Sequence, residues 1–122
     1  MTTAPRNILI ICRTSPYGSS RAREAIDLIL AGAVYEQEIN VLFMADGVFL
    51  LLPQQQAKQI AQKSFSSMLA AFELYGVNHL YADSDALQAR GLSTDHLTVS
   101  ATLLSDRQIG NLIAAHDTVL SF

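Results

Sequence analysis

The segment Glu38 to Gln54, EINVLFMADGVFLLLPQ, constrains the fold more than any other part of the chain. Val41 to Ala45 carry no polar side-chain atom except the thioether sulfur of Met44. A strand that alternates apolar and polar residues has one wet face, whereas a strand apolar throughout is covered on both. The run therefore predicts a strand over Asn40 to Ala45, inside a parallel sheet with helices on each side. It breaks at Ala45-Asp46-Gly47 and resumes as Val48 to Leu52. In such a fold the second run falls where a loop meets solvent. Val48, Phe49, Leu50, Leu51 and Leu52 are accordingly read as a surface that needs a partner.

The rest of the chain alternates in the same way. Asn7 to Cys12 (NILIIC) reads as a first buried strand, and Arg13 to Ser19 as a turn rich in hydroxyls with one Pro and one Gly. Ser20 is a plausible N-cap for a helix reaching about Val34, with Ala22, Ala25, Ile26, Ile29, Leu30 and Ala33 at helical spacing. Beyond the polar stretch 54–63, Ser64 to Tyr75 reads as a helix closed by Gly76. His79 to Ala82 is a third strand, and Ser84 to Arg90 a short helix stopped by Gly91. Thr98 to Leu104 is strand-like, Ser105 opens a further helix, and Asp117 to Phe122 is the last strand. Ser105 and Gln108 have the spacing of a capping box. Strand alternating with helix predicts right-handed crossovers and a three-layer α/β domain over residues 1–122, with about five mostly parallel strands flanked by helices. Ligands or partners of such a sheet meet the carboxyl ends of its strands.

Composition bears on partners. Half of the 122 residues are hydrophobic and only 16% are charged, against roughly 25% charged in an ordinary soluble domain. Mean hydropathy is +0.25. Two covered sheet faces explain part of this excess, and a large protein interface would explain the rest. A net charge of −3 with scattered Lys and Arg argues against direct binding of nucleic acid, which needs clustered cations. One cysteine, Cys12, excludes an internal disulfide and suits a reducing compartment. The first strand begins almost at once, and Asp46 interrupts the best apolar run well short of the ~18 residues of a membrane helix. The expectation is a cytoplasmic chain with no membrane partner.

Several groups invite chemistry. In the loop after the first strand, Thr14, Ser15, Gly18, Ser19 and Ser20 offer an anion cradle at a helix start, though a single Gly is a weak signal. A phosphatase loop would need an arginine clamp at close, fixed spacing from its cysteine; Arg13 is adjacent and Arg21 too far. Cys12 ends a strand near a helix start, where a thiol can become reactive, yet a lone Cys in an apolar strand is more often a small core residue. His79, His96 and His116 are isolated and no pair has metal-ligand spacing, so no metal is expected. Asp83 and Asp85 sit past the third strand. They could act as an acid–base pair, but a cap on the next helix, by Asp83 or Ser84, is the simpler role.

Taken together, these segments resemble the DsrE/DsrF-like family, in particular its TusC/DsrF branch of sulfur-relay subunits. The matching residues are Thr14-Ser15-Pro16-Tyr17-Gly18, Arg23 to Asp27, Phe43 to Phe49 with Leu51-Leu52-Pro53, Leu74-Tyr75, Leu87 to Leu92, and Asp117 to Phe122. Ala45-Asp46-Gly47, with Val48 and Phe49, is the most specific piece. The resemblance implies a compact α/β domain in a flavodoxin-like arrangement, without a cofactor. It also implies a dimer of heterotrimers with two related small subunits, TusB/DsrH-like and TusD/DsrE-like, which serves sulfur-carrier proteins through the complex. In the persulfide-carrying sister subunit, a cysteine follows the third strand, ahead of a helix ending in Arg-Gly. Counting back from Gly91, Asp83 holds that place here. A persulfide relay needs a thiolate, which a carboxylate cannot replace. The resemblance thus implies an architectural subunit of a sulfurtransferase complex, with tRNA 2-thiouridine formation or dissimilatory sulfur oxidation as its setting. A direct role for Cys12 or the Thr14–Ser20 loop in binding sulfane sulfur or an anion is the alternative.

Overall fold

The two apolar runs that open the chain's strands lie side by side. β1 (Asn7–Cys12) pairs in parallel with β2 (Glu38–Phe43) along its whole length, Asn7 opposite Glu38 and Cys12 opposite Phe43. The computed structural model describes residues 7–14, 24–25, 27–29, 31, 38–52, 72, 77, 79–97 and 100–122. β3 (His79–Asp83), β4 (Thr102–Leu104) and β5 (Thr118–Ser121) complete one sheet in the order β4-β3-β2-β1-β5, and all four pairings are parallel. Two helices have described ends, α1 (Ser84–Ala89) and α2 (Asp106–Ala114). Residues 24, 25, 27–29, 31 and 72 are also helical.

This strand order fixes which face each connection covers. β1, β2, β3 and β4 step across the sheet in one direction, so right-handed crossovers lie on a single face. On that face Ile10, Cys12, Ile39, Val41, Phe43 and Ala82 pack with Ala25 and Ile29 of the first crossover, Phe72 of the second, and Ala86 and Leu87 of α1. The step from β4 to β5 runs back across the sheet and uses the opposite face. There Leu9, Ile11, Leu42 and Leu104 pack against Ile109 of α2, with Met44, Tyr81 and Leu112 at the margin. The expected three-layer arrangement is present, with its layers unequally filled.

Local signals place the helix ends. Ser105 Oγ accepts the Gln108 N–H at 3.4 Å while Gln108 Oε1 accepts the Ser105 N–H at 2.8 Å, the capping box its spacing predicts. α1 closes in a Schellman turn: Leu92 N–H donates to Leu87 O and Gly91 N–H to Gln88 O, with Gly91 at φ +67°. Element boundaries shift modestly from expectation. β2 starts at Glu38 and ends at Phe43; β4 is cut to Thr102–Leu104; β3 gains Asp83. The expected helix over Ser64 to Tyr75, its Gly76 stop and the stretch 54–63 lie outside the described residues, apart from Phe72.

One expectation is corrected. The run after β2 is a 3-10 segment, Ala45–Leu51, folded back over the sheet. Val48, Leu50 and Leu51 are 0% exposed and belong to the larger core. Their side chains pack inside the domain rather than outward, and Phe49 and Leu52 are half-buried. A fully buried leucine contributes about 1.5–3 kcal/mol of transfer free energy. Leu51→Ala should therefore lower the unfolding free energy of the isolated chain by about 2–5 kcal/mol in urea titration. Leu51→Asp should remove the folded state itself, because it buries an unpaired carboxylate. Circular dichroism of the chain alone checks this: a folded Leu51→Asp chain that merely failed to assemble would restore the interface reading.

Candidate functional site

The carboxyl edge of the sheet is built on the end of β1. Met44 leaves β2 in extended conformation and its N–H donates to the Cys12 carbonyl at 3.0 Å. Ala45 then adopts φ +48°, a left-handed conformation uncommon for a residue with a Cβ, and Gly47 N–H returns to the Met44 carbonyl at 2.8 Å. The turn brings Gly47 directly against β1. A Cβ at Gly47 would lie 1.8 Å from the Cys12 carbonyl oxygen and 2.5 Å from its carbon. Only glycine fits, because the obstacle is backbone within a paired strand. Ala45-Asp46-Gly47 is thus a device for reversing the chain over β1, and the 3-10 segment follows from it.

Asp46 projects from this turn and meets Arg90, the residue that caps α1. Arg90 Nη2 donates to Asp46 Oδ1 at 2.9 Å and Nη1 to the Ala86 carbonyl at 3.0 Å, while its Cζ lies 5.8 Å from the centre of the Phe49 ring. The Asp46 side chain is 59% exposed and that of Arg90 26%. The ion pair is therefore a modest term in energy. Its geometry is specific, since one planar guanidinium joins a carboxylate, a helix carbonyl and an aromatic face. The contact spans 44 residues of sequence.

Asp83 ends β3 and is the N-cap of α1, its Oδ1 accepting the Asp85 N–H at 3.1 Å. The cap falls on Asp83 rather than Ser84. Asp106, at the start of α2, joins Asp83 and Asp85, and ligand oxygens of the three lie within 4.8 Å of one another. Sequence reasoning named the first two and missed the third. Asp106 follows β4, and only the pairing of β4 with β3 brings it there. Of the proposed anion loop, Thr14 is half-buried and Ser15, Gly18, Ser19 and Ser20 lie outside the described residues.

Cys12 belongs to the core. It is 1% exposed, on the face covered by three crossovers, and desolvation pushes its thiol from 9.0 up to about 12. A raised pKa means that the folded chain holds the proton more tightly than the unfolded one. The resulting stability is complete below about pH 9 and is lost as pH rises toward 12. At neutral pH the thiol is neither ionised nor reachable, the opposite of what sulfur transfer demands. This edge offers shape, a turn and charge, but no nucleophilic sulfur.

A parallel α/β sheet with the short crossover helix α2 on its second face, and a tight acidic turn over the first strand, defines the class of protein. The DsrE/DsrF-like family model matches residues 6–122. The chain belongs to that family. It is 34% identical over 116 residues to the Protein TusC homolog of Pseudomonas aeruginosa, covering 95% of this chain and 98% of that one. It is 33% identical over 120 residues to the intracellular sulfur oxidation protein DsrF of Allochromatium vinosum, covering 97% and 88%. The crystal structure of the ychN protein from E. coli superposes with a TM-score of 0.83 over 96% of this chain and 99% of that one, at 22% identity, a likeness of fold.

Two measurements test the site. Gly47→Ala should destabilise the chain by about 3 kcal/mol or more, beyond ordinary overpacking, because a backbone carbonyl must move; equal urea midpoints for variant and parent would refute the close approach. Cys12 should resist iodoacetamide at about pH 8 in the folded chain and react readily in denaturant, as expected of an inert buried thiol. Rapid labelling without unfolding would show an accessible thiolate.

Proposed function

We propose that the chain is an architectural, non-catalytic subunit of a cytoplasmic sulfur-relay assembly. It holds and shapes a sister subunit that carries the persulfide. The observation that carries this reading is the state of the chain's only thiol, Cys12: it is buried, and its pKa is pushed up to about 12. The place that the family resemblance gives to the relay cysteine is taken by Asp83, whose carboxylate is engaged as a helix cap. Transfer of sulfane sulfur requires a thiolate to attack and then release it, and neither residue supplies one.

The relative named a TusC homolog and the one named DsrF both support membership in such a system. The partners we infer are two related small subunits, TusB/DsrH-like and TusD/DsrE-like, in a dimer of heterotrimers. The transferred sulfur is destined for 2-thiouridine in tRNA. A net charge of −3 fits contact with sulfur-carrier proteins rather than with tRNA itself. The second setting, intracellular sulfur oxidation, is favoured by the nearly equal likeness to DsrF. Among the described residues no helix is long and apolar enough to cross a membrane.

Native mass spectrometry of the tagged chain, purified from its own host, should find it with two other small proteins, one bearing a reactive cysteine. In that complex Cys12→Ala should leave sulfur transfer unchanged; alanine is the suitable replacement because serine would bury a hydroxyl in an apolar face. Loss of transfer with the complex intact would make Cys12 a participant. Recovery of the chain only as a monomer or homo-oligomer would remove the architectural role.

A further inference from the structure

The amino-terminal edge of the sheet, opposite the ends just described, holds a polar pair. His116 lies just beyond α2, with Nδ1 2.7 Å from the Leu112 carbonyl oxygen and Nε2 2.7 Å from Asn40 Nδ2. Asn40 sits inside β2, paired with Leu9 on one side and His79 on the other. Its Oδ1 is buried with no hydrogen-bond partner.

An imidazole facing two fixed groups has few proton arrangements. A neutral ring protonated at Nδ1 donates to the Leu112 carbonyl and accepts from the Asn40 amide, which matches the heavy atoms but strands Oδ1. The other neutral tautomer sets a bare Nδ1 against a carbonyl oxygen, two acceptors 2.7 Å apart, and is excluded. A protonated ring donates from both nitrogens. It keeps the Leu112 carbonyl and requires an acceptor at Nε2, which Asn40 can provide by turning its amide so that Oδ1 faces the ring. That turn pairs Oδ1 with the ring and carries the Nδ2 group into the buried place that Oδ1 held. It also lodges a cation at the carboxyl end of α2, where the helix dipole favours it.

We propose that His116 and Asn40 form a proton-coupled amide switch, in which proton uptake at His116 Nε2 turns the Asn40 side chain by half a rotation. The pair joins the central part of the sheet to the segment entering β5, whose Asp117 N–H bonds the Asn7 carbonyl at 3.1 Å. Among the described residues, the other titratable groups around it are few. They are His79 beside Asn40 on β3, with the Tyr81 ring centre 6.0 Å from its own, Glu38 at the exposed start of β2, and Asp117, whose carboxylate accepts the Asn7 N–H at 3.4 Å. The last turn of α2 carries no charged side chain.

NMR on the full chain, followed from about pH 8 to about pH 5 where imidazoles take up a proton, reads both partners at once. The expected result is an Nδ1–H tautomer at high pH and Asn40 side-chain NH2 resonances that move with the midpoint of the His116 ring. In His116→Gln those resonances should lose that pH dependence. The proposal is overturned by an Asn40 amide indifferent to the His116 titration, by one that follows His79 instead, or by an Nε2–H tautomer at high pH. The unmutated chain decides the matter even where the variant folds poorly.

Discussion

The approach of Gly47 to the Cys12 carbonyl governs the upper half of this domain. That carbonyl accepts the Met44 N–H as the chain leaves β2, and the space beside it admits no side chain at Gly47. Because the turn lies flat on β1, the residues after it run back over the sheet instead of out into solvent. Val48, Leu50 and Leu51 then reach the core that Ile10, Val41 and Phe43 present. The same turn aims Asp46 at Arg90, so the close of α1 is tied to the reversal after β2. Two pieces of sequence, Ala45-Asp46-Gly47 and Arg90-Gly91, are one mechanical unit in space.

Strand order explains why the two faces of the sheet differ. Three connections step from β1 to β4 and share one face, while a single connection returns to β5 on the other. Five strands at about 4.8 Å spacing span roughly 19 Å between outer axes, nearly twice the width of one helix with its side chains. α2, nine residues long, cannot cover that face evenly. Val119 of β5 and Ile113 of α2 are left more than a third exposed. The low charged fraction of the chain therefore has two sources: a dense core on one face and a thin cover on the other.

Much of this fold is legible in the residues, for identifiable reasons. Apolar strands without alternation report burial on both faces, and the Ser105–Gln108 spacing and Gly91 mark helix ends because their chemistry is local. What stays hidden is the destination of surfaces whose partners are distant in sequence. An apolar run reads identically whether it covers its own core or another chain, so the pattern of Val48–Leu52 points outward while Val48, Leu50 and Leu51 lie buried. The Asp46–Arg90 pair and the arrival of Asp106 beside Asp83 depend on tertiary placement. Asn40 looked like the polar start of a strand, whereas β2 begins two residues earlier and Asn40 bonds His116, 76 residues away. Of the candidate site, the turn and the cap are readable; the burial of Cys12 depends on covering helices that only the tertiary structure places.

The carboxylate at the end of β3 also has a physical logic. The end of β3 is simultaneously the start of α1, where backbone N–H groups lack partners inside the helix. A thiolate at such a place is stabilised by those donors, which lowers its pKa and makes it reactive. Asp83 uses the same donors differently: its Oδ1 takes the Asp85 N–H and caps the helix, an interaction worth about 1 kcal/mol. The capped helix then runs to the Arg90-Gly91 close. The donors that would activate a thiolate are spent here on holding the start of α1.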